Sequence, residues 1–176
     1  TAVTRSGAEP GDHVLLSGNV GDAAAALHLL RQDKTVHDHL LRRLRRPTPH
    51  KALGIALRGI ASAMIDVSDG LLADLDHILQ ASAVGASIEL DRVPQSAQLG
   101  RAALHDDEKL HCMLSGGDDY ELCCCVPDNK LQAALLAAQS CAIGLTTIGR
   151  IEAQPGLRCV SADGQQVKLP AAGWQH

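Results

Sequence analysis

Phenylalanine does not occur in this 176-residue chain, and its aromatic complement is one tyrosine, Tyr120, and one tryptophan, Trp174. A chain so poor in rings has no stacking platform for single-stranded nucleic acid. It also lacks the cationic excess that a phosphate backbone attracts: sixteen Lys and Arg face twenty Asp and Glu, a net charge of -4. No stretch approaches the ~18 consecutive apolar residues of a membrane-spanning helix. Thr1 leads into a polar, turn-forming segment rather than a charged and then apolar leader, so a cytoplasmic setting is expected. What is present suffices for a core. Hydrophobic residues make up 45 % and charged residues 20 %, outside the range of disordered segments. Without Phe, that core must be filled by Leu, Ile, Val, Ala and Cys, and the length suits one domain or one lobe of something larger.

Six cysteines, at 112, 123, 124, 125, 141 and 159, raise the question of metal or disulfides. An even count signals a disulfide framework only in short secreted chains. Three consecutive cysteines make no C-x-x-C knuckle, and in a strand at most Cys123 and Cys125 share a side. His37 and His39 flank Asp38, but no second ligand pair stands at a finger-like spacing. Small buried thiols acting as hydrophobes are the expected reading.

Turn chemistry from Arg5 to Asp12 reads as a connector, so residues 1–12 are expected to lead into a domain spanning 13–176. His13–Gly18 is a short buried strand, and Gly18-Asn19-Val20-Gly21-Asp22 leads to an Ala- and Leu-rich helix over 23–30 that Asp22 can cap. Val36, Leu40, Leu41 and Leu44 fall at helical spacing, and that helix ends in Arg42, Arg43, Arg45 and Arg46 before Pro47-Thr48-Pro49. Leu53, Ala56, Leu57 and Ile60 make the next helix. Strands are expected at 63–67, 86–90, 120–126, 145–151, 157–160 and 167–169. Helices are expected from Leu71 through Leu79 and over 129–139, with a polar stretch between Leu90 and about His111. Helices and strands interleave without strict βαβ regularity, so the expected fold class is α+β: one mixed sheet covered by helices.

Two turns carry chemistry. In Ile65-Asp66-Val67-Ser68-Asp69-Gly70-Leu71, a strand end runs straight into a helix start, where N–H groups without helical partners and a positive dipole end collect. Asp66 and Ser68 share a side if strand geometry persists, and Asp69 falls in the first helical turn. Such carboxylates stay ionised and suit magnesium, which takes one or two carboxylates, keeps waters and bridges phosphate oxygens. Equally, Ser68 is an ordinary N-cap and Asp69 ordinary first-turn charge. The second turn is Ser115-Gly116-Gly117-Asp118-Asp119-Tyr120-Glu121-Leu122. Its paired glycines let backbone N–H groups approach a ligand, or simply form a tight turn. The 18–22 loop could cradle an anion, and the Arg42–Arg46 cluster could steer a polyanion or be a solvated helix end. No nucleophile signature of the G-x-S-x-G or Cys–His kind is present.

Taken in order, Thr4-Arg5-Ser6-Gly7-Ala8 with Pro10-Gly11-Asp12, Leu44 to Pro49, Ala63 to Leu71, Ser115 to Leu122 and the closing Gly173-Trp174 resemble the carboxy-terminal half of thiamine-monophosphate kinases. The two acidic stretches are specific as a pair; each alone is shared with aminoimidazole-ribonucleotide and selenophosphate synthetases. The resemblance implies ATP-dependent phosphorylation of thiamine monophosphate to the diphosphate with Mg2+. Position by position, it implies Asp66 and Asp69 as magnesium ligands, Arg5 and Ser68 as ATP contacts, and Asp118 and Trp174 as contacts of the thiamine phosphate. It also implies that the family's amino-terminal ATP-binding half is absent here, that the full-length protein is a homodimer, and that this lobe alone is inactive.

The physics suits that role. The acceptor phosphate is already ionised, so a general base is dispensable. At ~4 Å each unit-charge repulsion costs about 1 kcal/mol in water, so bringing two polyanions together needs cations, and acidic turns make sense as their holders. A related synthetase with another acceptor and a Cys/His metal-binding or storage module are the alternatives.

Overall fold

Short apolar runs become the strands of one six-stranded sheet in the computed structural model, which describes residues 2–167. The strands are His13–Ser17 (β1), Ala63–Val67 (β2), Gly85–Glu89 (β3), Glu121–Val126 (β4), Leu145–Glu152 (β5) and Gly156–Val160 (β6). Their spatial order is β2-β4-β1-β5-β3-β6, antiparallel at every junction except the parallel β3–β6 edge pair. The sheet is mixed, and helices cover both faces, which bears out the α+β expectation.

The central strands β1 and β4 are buried along almost their whole length, as strands covered on both sides must be. Leu15, Cys124 and Val126 pack with Leu53 and Leu57, in and just after Lys51–Ala56 (α3), and with Ala134 and Ala138 of Leu131–Ser140 (α7). Val14, Leu16, Ile65, Cys123 and Cys125 face the larger core. That core takes in Asp22–Arg31 (α1), Asp38–Arg45 (α2), Leu71–Ser82 (α4) and Asp106–Ser115 (α6). The cysteine triplet therefore divides between the two cores as strand alternation requires. All six thiols are free, and burial pushes the Cys124 thiol up to about 12. The five buried thiols, all but Cys141, are space-filling groups.

Residues 4–8 are tied to the rest of the fold at several points. Met64 N–H donates to the Thr4 carbonyl (2.9 Å) along the free edge of β2, and Ser82 Oγ accepts from the N–H groups of Gly7 and Ala8. Inside the stretch read as polar, the structure places a short helix, Ala97–Gly100 (α5), and the first part of α6, which continues to Ser115. The last expected strand, 167–169, lies mostly outside the described residues, where Val167 N–H bonds the Cys159 carbonyl. Among the described residues, no helix is long and apolar enough to cross a membrane.

Candidate active site

The first acidic turn leaves β2 at Val67 and enters α4 at Leu71 with Gly70 at the N-cap. Two expectations change here. Ser68 is not the cap and Asp69 is not in the helix, because Gly70, at φ 123°, makes the transition instead. A Cβ at Gly70 would lie 2.9 Å from the Ser115 carbonyl carbon, so only glycine lets α4 start so close to the end of α6. Nor are the turn's N–H groups open to a ligand. The Asp74 carboxylate, 2 % exposed, folds back from α4 and its Oδ2 accepts from Ser68 (2.8 Å), Asp69 (2.9 Å) and Gly70 (3.2 Å). Burial raises the Asp74 carboxyl above its ordinary range, opposed by those backbone bonds.

Asp66 and Ser68 do not share a side. Asp66 is exposed and lines a shallow groove with Thr4, Arg5, Met64 and Leu122. Ser68 and Asp69 line a cavity of about 810 Å3 together with Gly116, Gly117 and Asp118. The walls of that cavity are Ala24, Leu27, Leu72 and Leu114 from α1, α4 and α6, with His28, Arg31 and His111 also lining it.

The second turn lies directly against the first. Asp118 N–H donates to the Ser68 carbonyl (2.9 Å) and Tyr120 N–H to the Val67 carbonyl (2.8 Å). A Cβ at Gly117 would stand 2.4 Å from the Ser68 oxygen. The glycine thus serves the contact between the two loops. Asp118 and Tyr120 adopt left-handed backbone angles, φ 66° and 53°, conformations that cost of order 1–3 kcal/mol and tend to collect at functional sites. Tyr120 Oη lies 3.4 Å from Asp118 Oδ1. The charge of Asp118, and after it those of Asp66 and Asp69, raises the phenol above its ordinary pKa. Three carboxylates thus act on one hydroxyl. Among the described residues, neither Asp66 nor Asp69 has a side-chain hydrogen bond or ion pair to offset its charge.

Beneath this exposed layer the next two acids turn inward. Glu121 Oε1 pairs with Arg43 Nη2 at 2.8 Å, and Oε2 accepts from Ser17 Oγ. His50 Nε2 lies 2.7 Å from Oε2 but off the line of a hydrogen bond. Arg43 also donates to the Asp119 carbonyl at 3.0 Å. Asp119 Oδ2 accepts from Gly21 N–H at 2.8 Å, while Oδ1 is buried without a partner. Burial lifts the Asp119 carboxyl to about 7. In the 18–22 loop, the Gly21 N–H is thus taken by the protein's own Asp119 carboxyl. Gly21 rather than Asp22 stands at the N-cap of α1. Buried Asp22 instead accepts from Ser96 Oγ (2.6 Å) and pairs with His39 Nε2 (2.9 Å), tying α2 and Ser96 to α1. Of the arginine cluster, Arg43 alone turns into this network, while Arg42, Arg45 and Arg46 remain exposed. Trp174 lies outside the described residues.

The inward set of Asp74, Asp119, Glu121 and Arg43 was missed by pattern reading. Asp74 had a signal, since it sits on the face of α4 occupied by Leu71, Leu75 and Ile78. As for cations, no group of three or more His, Cys, Asp or Glu side chains among the described residues is arranged to hold a metal. Magnesium needs only one or two protein carboxylates and completes its shell with water and phosphate oxygens. Asp66 and Asp69, exposed and without counter-ions, fit that demand.

A mixed sheet with two acidic turns at one end of β2 and β4 defines a class. The family profile described as AIR synthase related protein, C-terminal domain, matches residues 9–161, and the chain belongs to that family. Within it, the similarity is to thiamine-monophosphate kinases. The chain is 41 % identical over 180 residues to the Escherichia coli K12 enzyme of that name, covering 99 % of this chain and 55 % of that one. A crystal structure of thiamine-monophosphate kinase from Stenotrophomonas maltophilia K279a superposes with a TM-score of 0.85 at 41 % identity, over 94 % of this chain and 54 % of that one. A structure of AaThiL complexed with AMPPCP and TMP superposes at 0.77 and 31 %, over 94 % and 52 %. The chain spans about half the length of these relatives.

Proposed function

We propose that this chain is the carboxy-terminal lobe of an ATP-dependent kinase that converts thiamine monophosphate to thiamine diphosphate by direct, magnesium-assisted phosphoryl transfer in the cytoplasm. The observation that carries the reading is the direct contact of the two acidic turns, Asp118 N–H on the Ser68 carbonyl and Tyr120 N–H on the Val67 carbonyl, in a chain 41 % identical to a thiamine-monophosphate kinase. Asp66 and Asp69 would hold magnesium, which neutralises the charge that builds on the phosphate oxygens. Ser68 and Arg5, from opposite sides of the first turn, contact the nucleotide. Asp118 contacts the acceptor at the mouth of the 810 Å3 cavity, whose apolar walls suit its rings; Trp174, outside the described residues, is assigned to the same group by the family resemblance alone. The amino-terminal half present in the relatives supplies the rest of the nucleotide site and the homodimer contact, so the isolated lobe is inactive.

The test is phosphoryl transfer from ATP by the full-length protein to a panel of acceptors, thiamine monophosphate among them. Turnover confined to thiamine monophosphate is expected, and turnover confined to an aminoimidazole ribonucleotide precursor or selenide would overturn the reading. Asp66→Asn and Asp69→Asn should each lower kcat by roughly 10²- to 10³-fold, the range for loss of one electrostatic stabiliser. Both sites are exposed, so stability should stay within about 0.5 kcal/mol of the parent.

A further inference from the structure

The chain fills its own anion cradles. Where β2 runs into α4, and where β1 runs into α1, the backbone donors that a phosphate could use are taken by buried carboxylates, Asp74 and Asp119. The two cradles differ in what they support. Asp119 takes one N–H from the 18–22 loop, which carries none of the exposed acids. Asp74 takes three consecutive N–H groups from Ser68, Asp69 and Gly70, the segment that presents Asp69 and Ser68 to the cavity.

We infer that Asp74 is a positioning residue for phosphoryl transfer, fixing the 68–70 backbone so that the Asp69 carboxylate is held ready for a divalent cation. This deepens, and rests on, the reading given under Proposed function.

A single oxygen accepting three bonds leaves the turn little freedom to rotate its peptide planes. The same backbone is held from the other side, where the Ser68 and Val67 carbonyls accept from Asp118 and Tyr120. Carbonyls of the turn therefore point to the second acidic loop and its N–H groups to Asp74. With both sets fixed, the Cα–Cβ bond of Asp69 is held toward the cavity that this residue lines. A turn held only from the carbonyl side would let Asp69 withdraw from a cation, and partners that orient a ligand in this way typically govern metal affinity by roughly 10- to 100-fold. A positive helix end near the cation would also oppose its binding. The Asp74 carboxylate, bonded to the N–H groups of 68–70 that lead into that end, offsets the opposition.

The experiment uses the full-length protein with Asp74→Asn, Asp74→Ala and Leu75→Ala, the last a cavity in the same helix at a fully buried site. Three quantities are read: Mn2+ affinity by electron paramagnetic resonance without nucleotide, the Mg2+ concentration for half-maximal turnover, and exchange rates of the amides at 68–70. Asp74→Ala should weaken Mn2+ binding and raise the Mg2+ requirement by roughly 10- to 100-fold, with the three amides deprotected. Asp74→Asn keeps an acceptor oxygen without the charge and should fall between, since charge-assisted bonds are about twice as strong as neutral ones. Leu75→Ala should lower thermal stability and leave Mn2+ affinity unchanged. Equal metal affinity in Asp74→Asn and the parent, or an equal loss in Leu75→Ala, overturns the inference. A parent protein that transfers nothing to thiamine monophosphate while Asp74→Ala still loses Mn2+ overturns the proposed acceptor and supports the positioning role.

Discussion

The two acidic turns look alike as strings of Asp, Gly and Ser, yet they use their charges in opposite ways. The first, at 66–70, sends Asp66 and Asp69 to the surface without counter-ions among the described residues and relies on a carboxylate from the following helix for its shape. The second, at 116–121, exposes only Asp118. It spends Asp119 and Glu121 inward, against Gly21, Ser17 and Arg43. A charge held at the surface without a partner is available to a ligand, whereas a buried one must find partners within the fold and becomes part of the frame. The exposed and buried acids of one short segment thus divide the work between binding and support.

If the second turn is the frame, cutting its buried pair should do the most damage. Glu121→Ala leaves the Arg43 guanidinium with a lost partner in a mostly dry site and should destabilise the protein by about 3–5 kcal/mol, the usual loss when one partner of a buried pair is removed. Urea unfolding measures this, and a loss under 1 kcal/mol would return Glu121 to the class of surface acids.

Separating the two turns should come next. Gly117→Ala places a methyl 2.4 Å from the Ser68 carbonyl oxygen. The loops must part, at about 1–3 kcal/mol of overpacking strain. The same unfolding measurement applies, together with loss of protection at the Asp118 and Tyr120 amides.

The last test concerns pH. The Asp119 carboxyl is raised from 3.8 to about 7 by burial, so between those values the folded state holds more protons than the unfolded one. Stability therefore falls as pH rises across that window and levels off above it. Thermal scans of the parent should show that decline between about pH 4 and pH 7. Asp119→Asn, still able to accept from Gly21, should flatten it, and an undiminished slope would assign the titration to another group.

Much of this architecture could be read from residue order. Strands β1, β2 and β4 are short apolar runs bounded by Gly, Ser and Asp, and both acidic turns stand out as the places where such runs stop. Helix α6 could not be read from periodicity, because Asp106, Asp107, Glu108 and Lys109 give its first turn the look of a loop. Its signal was at the start, where the Glu108 carboxylate accepts from the His105 N–H and closes a capping box. The fate of individual acids was hidden for a different reason. Asp66 sits within an apolar strand and meets water, Asp119 sits in a Gly-rich turn and is buried, and only tertiary placement decides this. Among four neighbouring arginines, Arg43 shares a helical face with the buried Leu40 and so turns inward. That spacing was visible, but the Glu121 awaiting it was not.

Tyr120 gives the scarcity of rings a practical side. It is the sole phenol in the chain, it stands where three surface acids meet, and their negative field resists its ionisation. Any divalent ion arriving there would ease that resistance, so its near-ultraviolet absorbance in alkaline titration is a label-free gauge of occupancy, built in by nature at the spot an engineer would choose.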